Sequence, residues 1–150
     1  MLYQAIFAYL HYLSIIGVFI TLVIELILFK PSLTHREARV IQRTDSVYGL
    51  SALMVLVTGL LRAFYFGKGY EYYFGNNIFL LKLGLFLVVG ILSIYPTIVF
   101  IKWRKFIKPG ESLTVDKSRA VRVMNLIRLE VLIILFLPLL AALMSRGFGF

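Results

Sequence analysis

Four stretches of the chain are apolar over most of their length. They run from Leu2 to Phe29, closed by Lys30-Pro31; from Ser46 to Phe66, closed by Gly67-Lys68-Gly69; from Ile78 to Ile101; and from Ala120 to Arg146, with Pro138 inside. A helix rises 1.5 Å per residue, so about 20 residues cross ~30 Å of hydrocarbon. Backbone groups in lipid must find partners within their own segment, and stretches of this kind do so as helices. The pattern therefore predicts an all-α integral membrane bundle of four transmembrane helices, over about 2–29, 46–66, 78–101 and 120–146. The 150 residues make one domain. The first stretch has no Lys or Arg ahead of it, lacks a small-residue cleavage site and is too long for a cleavable signal, so it reads as a transmembrane helix.

Polar residues interrupt each stretch at helical spacing. His11, Ser14, Val18, Thr21 and Glu25 form one stripe on the first helix, and Tyr48, Ser51, Val55, Thr58 and Arg62 form one on the second. On the third the stripe is Lys82, Phe86, Val89, Ser93 and Pro96. On the fourth it is Asn125, Arg128, Leu132, Leu135, Leu139, Ala142 and Arg146. Four such stripes predict a bundle with a polar seam facing inward.

Charge adds an orientation. Of 16 Lys and Arg, the segments Lys30–Asp45 and Lys102–Arg128 hold twelve, leaving Arg62, Lys68, Lys82 and Arg146 for the other side. Basic loops stay cytoplasmic, so both termini are expected on the non-cytoplasmic side of a bacterial inner membrane. The net charge of +9 thus reads as topology, and with no basic-aromatic module present nucleic acid is not an expected partner. There are no cysteines, which excludes disulfides, thiolate metal sites and iron–sulfur ligation, and two histidines make a zinc site a poor fit. Between the first two helices, Ser32-Leu-Thr-His-Arg-Glu-Ala-Arg reads as a cap and a short basic interfacial helix, and Lys108-Pro-Gly-Glu-Ser as a turn. The aromatic loop from Phe64 to Gly75 reads first as an interfacial belt, and second as a wall for a flat ligand.

Antiparallel threading sorts the intramembrane polar groups into two layers. Glu25, Arg43, Asp45, Arg128 and Glu130 gather toward the inner side. Glu25 paired with Arg43 or Arg128 would latch helices one, two and four together; unpaired, it would be a proton-handling carboxylate. His11, Arg62, Lys82 and Arg146 gather toward the outer side, with Glu71 the nearby acid. Cations at that depth either snorkel to headgroups or hold an anionic ligand. His11 is open to three roles: a core hydrogen-bonder, a proton shuttle, or an axial ligand to haem.

These residues carry a resemblance. Ala8-Tyr-Leu-His-Tyr-Leu, Val23-Ile-Glu-Leu-Ile-Leu, Asp45-Ser-Val-Tyr-Gly-Leu and Thr58-Gly-Leu-Leu-Arg-Ala-Phe-Tyr contribute to it. So do Asn77-Ile-Phe-Leu-Leu-Lys-Leu, Leu92-Ser-Ile-Tyr-Pro-Thr and Ala141-Ala-Leu-Met-Ser-Arg-Gly. The whole chain resembles a family of small bacterial membrane proteins, domain of unknown function 2214, which implies no activity. A weaker resemblance, at His11 and Lys82, is to HemJ-like protoporphyrinogen oxidases and CopD-like proteins, in which an early histidine is linked to haem b. The tryptophan and arginine that follow that histidine in the HemJ-like pattern are absent here, and Glu25 stands on this helix instead. The resemblance implies a haem b- or porphyrin-binding membrane oxidoreductase, with His11 as axial ligand, Arg62 and Lys82 on the propionates, and quinone or a porphyrin as redox partner. Two further readings stay open: a small proton- or ion-coupled transporter or channel component using Glu25, and a structural lipid-binding factor. Small faces at Gly17 and Thr21, Gly49 and Ala52, and Gly90 and Ser93 suit a homodimer.

Overall fold

A computed structural model describes residues 2–103 and 110–149. Arg104, Lys105 and Lys108 of the second basic segment, and Pro109 of its turn, lie outside the described residues. Helix α1 spans Leu2–Leu28, strand β1 Ser32–Thr34 and helix α2 His35–Leu61, which runs on into a π-helical turn, Arg62–Phe66. A short helix α3, Tyr70–Phe74, precedes α4, Asn77–Trp103; strand β2, Ser112–Thr114, precedes α5, Lys117–Ser145. Four of these helices are long and apolar enough to cross a membrane, as the hydrophobic pattern predicts.

Around the bundle α1 packs against α2 and α5, and α4 packs against α5 and α2. Inward-facing residues recur at three-four spacing, with Val18, Leu22 and Glu25 on α1 and Ala38, Ile41, Asp45, Tyr48 and Val55 on α2. The expected stripes on α1, α2 and α4 face inward. On α5 the expected stripe is wrong. Asn125, Arg128, Leu132, Leu135, Leu139, Ala142 and Arg146 are all exposed, and the buried face is Ala120, Val123, Ile127, Glu130, Ile134, Leu140 and Met144. Asn125 and Arg128 sit in the third and fourth turns of α5, on an outward face from which a long polar side chain can extend toward headgroups. The polar residue that marks the interior is Glu130.

One end of the bundle carries Leu2, Gly149 and the aromatic loop; the opposite end carries the two strands. At the strand end β1 and β2 pair antiparallel, Leu33 opposite Leu113. Val115 N–H also donates to the Pro31 carbonyl at 2.8 Å. The expected interfacial helix is instead the start of α2, unbroken from His35. Its cap is Thr34, whose hydroxyl accepts from Glu37 N–H (3.3 Å) while the Glu37 carboxylate accepts from Thr34 N–H (2.8 Å), a capping box. Asp116 caps α5 by accepting from the Ser118 and Arg119 N–H groups.

Two apolar clusters fill the interior. One lies at the strand end around Phe29, Leu33, Ile41, Phe100, Trp103 and Ile127, with the Phe29 and Trp103 rings stacked at 6.2 Å. The other lies in the middle around Val18, Leu22, Val55, Val89 and Ile134. Toward the terminal end the packing opens: α4 has no buried residue before Val89. Asn76 closes that end. Its side-chain oxygen accepts from the Ile78 and Phe79 N–H groups, and its amide donates to the Phe148 carbonyl at 2.9 Å. The chain's last described turn is thereby tied to the start of α4.

Candidate functional site

Where the packing opens, the four long helices and the aromatic loop line an open-sided cavity of about 470 Å³. Its walls are apolar: Ile15 and Val18 from α1, Val55 and Leu56 from α2, Leu83 and Phe86 from α4, Ile134, Leu137 and Met144 from α5. Among these stand His11, Arg62, Lys68 and Lys82, with Tyr12, Tyr72 and Tyr73 beside them. Among the described residues no Asp or Glu lines the cavity.

His11 is fixed by α2. Its Nδ1 lies 2.9 Å from Thr58 Oγ1, and Thr58, almost fully buried, donates its own hydroxyl proton to the Met54 carbonyl one turn back. A hydroxyl whose proton is committed can only accept, so His11 Nδ1 carries the hydrogen and Nε2 keeps its lone pair. Gly59 makes the approach possible: a Cβ there would lie 3.1 Å from His11 Cε1. A second close approach, of Gly17 to Ser51, locks the same pair of helices. Gly17 is thus used inside the chain and is not free for a second copy.

Arg62 opens the π-helical turn, a distortion frequent at functional sites because it re-aims side chains. Its guanidinium lies 5.4 Å from the Tyr12 ring centroid, within cation–π range. Lys82, half-buried one turn into α4, acts electrostatically on Arg62, and both cations act on the His11 imidazole. The ion pair found among the described residues is Lys30–Glu37, at the other end. Arg62 and Lys82 thus line one cavity with no carboxylate between them among the described residues, and Glu71 is exposed on α3 and does not line the cavity. Lys68 donates to the Tyr72 hydroxyl at 3.2 Å and lies 4.4 Å from that ring's centroid.

The structure brings His11, Arg62 and Lys82 together as the depth argument expects, and adds Lys68. Arg146 is exposed and apart from the cavity. In the aromatic loop Tyr65 and Tyr70 are exposed, whereas Tyr72 and Tyr73 form cavity wall. The contribution of Met144 was not legible beforehand, since it lies on no polar stripe.

The inner layer departs from expectation. Glu25 is 2% exposed, yet its Oε1 has no hydrogen-bond partner and no ion pair forms with Arg43 or Arg128. Both arginines are exposed, on faces that look away from the seam. The latch is absent because these guanidiniums gain more from water and headgroups than from a dry carboxylate. What faces Glu25 instead is Asp45 and Glu130. Asp45 accepts from the Thr97 hydroxyl at 2.7 Å, and Glu130 accepts from the Tyr48 hydroxyl at 3.3 Å.

Four apolar helices carrying this set of polar residues match, over residues 3–149, the family described as predicted membrane protein (DUF2214). The chain belongs to that family. DUF2214 membership establishes a multi-pass membrane protein and leaves the activity open. No curated protein and no solved structure matches the chain.

Proposed function

We propose that the protein binds a flat apolar molecule carrying anionic groups, and that this molecule is haem b or a related porphyrin held for membrane redox chemistry. The observation that carries the reading is the union of three features in one cavity: an imidazole with a free Nε2, two unneutralised cations, and apolar walls. A binding site of this volume is within the usual range for small molecules and cofactors. Burying uncompensated cations costs several kcal/mol each, and an acidic ligand removes that cost.

The residues fit the group. His11 would hold the iron through Nε2, oriented by Thr58 at Nδ1. Arg62 and Lys82 pair with the two propionates, and Tyr12, Tyr73 and Phe86 supply ring-sized apolar surface. Met144, buried and on the wall, is a second soft donor available from α5. When bound, haem supplies one-electron chemistry; the chain supplies orientation, charge compensation and exclusion of water. The partner for those electrons is proposed to be a quinone or a porphyrinogen, since both dissolve in the same bilayer.

The Lys/Arg distribution supports the orientation that goes with this reading, with the strand end cytoplasmic, the cavity toward the other side, and the protein in a bacterial inner membrane. Open faces at Gly49 and Gly90 suit the approach of a second copy. The test is spectroscopic. Protein purified in mild detergent from haem-replete cells is expected to show a Soret band that shifts on reduction and is lost in His11→Ala. Arg62→Gln and Lys82→Gln are each expected to weaken haem retention roughly ten- to hundredfold, one charge-assisted contact being worth about 1.5–3 kcal/mol. A colourless protein that also takes up no added haem overturns the reading.

A further inference from the structure

Below the cavity lies a second polar layer that the ligand reading does not use. Glu25 on α1 and Glu130 on α5 are 2% and 1% exposed, and Asp45 on α2 is 7% exposed. The layer is sealed on both sides. On α1, Glu25 sits between Leu22 of the middle cluster and Phe29 of the strand-end cluster. On α5, Glu130 sits between Ile134 and Ile127 of the same two clusters, and on α2, Asp45 lies between Tyr48 and Ile41.

Two of these carboxyl groups are incompletely bonded. Glu25 Oε1 and Glu130 Oε1 are buried without a hydrogen-bond partner. The titratable groups facing Glu25 are Asp45 and Tyr48 from α2 and Glu130 from α5, while α4 brings the neutral Thr97 hydroxyl to Asp45. Among the described residues, none of the groups that act on Glu25 is a cation. Bare carboxylates in a sealed apolar layer are costly by several kcal/mol apiece. A proton on each removes the charge and turns the unpartnered oxygen into a hydroxyl donor. A metal ion suits the layer less well. It needs several oxygens converging on one point, and among the described residues no three acidic or histidine side chains are placed to hold one.

We propose that Glu25 and Glu130 form a proton-binding site enclosed in the bundle, distinct from the cavity above it. Each carboxylate takes one proton from water to become a carboxylic acid and returns it by the reverse step, with no other bond made or broken. Glu25 lies three residues from the end of α1, about 4.5 Å along the axis, so the strand end is the shorter route to water. Tyr48, donating to Glu130 Oε2, leaves Glu130 Oε1 as the oxygen that carries the proton.

The whole chain in lipid nanodiscs, without added ligand, is examined by infrared spectroscopy at neutral pH in H2O and D2O. The expected result is a carbonyl stretch of un-ionised carboxyl groups in dry surroundings, shifted in D2O. Glu25→Gln and Glu130→Gln are each expected to remove part of it, while Glu71→Gln and Glu111→Gln, at exposed positions, leave it intact. No such band, or one that survives both core substitutions, overturns the proposal. Proton release to an indicator dye on adding Na+ or Ca2+ also overturns it, in favour of a cation site. Should either glutamine variant fail to fold, Tyr48→Phe keeps both carboxyl groups and removes one donor. The Glu130 part of the band is then expected to shift, and an unshifted band overturns the assignment to Glu130. Because the ligand cavity takes no part in this measurement, a colourless protein leaves its outcome unaffected.

Discussion

Leu33 and Leu113 face each other as register partners at the centre of the two-stranded ladder, each the middle residue of an identical Ser-Leu-Thr triplet. On the helices that follow, the correspondence resumes with a shift of two residues. The buried positions Ala38, Ile41, Asp45 and Tyr48 on α2 have the same spacing as Ala120, Val123, Ile127 and Glu130 on α5. Tyr48 and Glu130, equivalent in that alignment, are hydrogen-bonded across the bundle. The hairpins α1–β1–α2 and α4–β2–α5 thus behave as two like halves joined at the strand end, and the ladder sets their relative register.

Leu33 is fully buried in that joint, whereas Leu113 is only partly buried. Truncating a packed leucine removes its contacts and leaves a cavity, at about 2–5 kcal/mol. Leu33→Ala is therefore expected to lower the melting temperature in detergent clearly, and Leu113→Ala to lower it less. Equal effects would mean that the joint is held by backbone pairing and not by the leucine side chain.

The four spans were legible because lipid imposes one solution on long apolar segments. His11, Arg62 and Lys82 were legible as a group because intramembrane cations are rare and antiparallel threading fixes their depth. The α5 face differs from the expected stripe because Arg128 and Asn125 point outward, where a long polar side chain can extend toward headgroups, so polarity there does not mark the interior. The ladder went unseen because three-residue strands have no periodicity to detect, although the repeated Ser-Leu-Thr was a signal. Partners such as Thr58 for His11 depend on side-chain geometry that spacing alone does not provide.

Glu25 stands without a counter-charge, so its neutral isostere removes a burden and breaks no pair. Glu25→Gln is expected to keep the melting temperature or raise it slightly. In double-mutant cycles with Arg43→Gln or Arg128→Gln, the coupling energy is expected to stay within about 0.5 kcal/mol, as for independent sites. A coupling of several kcal/mol would restore the ion-pair latch.

Thr58 determines which nitrogen of His11 is free. Thr58→Val keeps the shape and removes the hydroxyl acceptor that fixes Nδ1–H. Partners of this kind alter metal affinity by roughly 10–100-fold. Haem retention is expected to fall by about that factor with a displaced Soret maximum, and Thr58→Ser, which restores the hydroxyl, is expected to recover both. If Val and Ser behave alike, the Thr58 hydroxyl does not orient the ligand.

The orientation of the bundle is open to a direct test because the chain has no native cysteine. Ser32 and Ser112 are exposed at the strand end, and Glu71 is exposed in the aromatic loop at the terminal end. Asn76 is unsuitable as a reporter, being fully buried and bonded to Phe148. With twelve of the 16 basic residues in the segments that flank the strands, that end is expected in the cytoplasm. An impermeant thiol reagent should then label Glu71→Cys in intact cells, and label Ser32→Cys and Ser112→Cys only after the membrane is opened. Labelling of the two strand positions from outside, with Glu71→Cys protected, would reverse the bundle and put the cationic cavity on the cytoplasmic side.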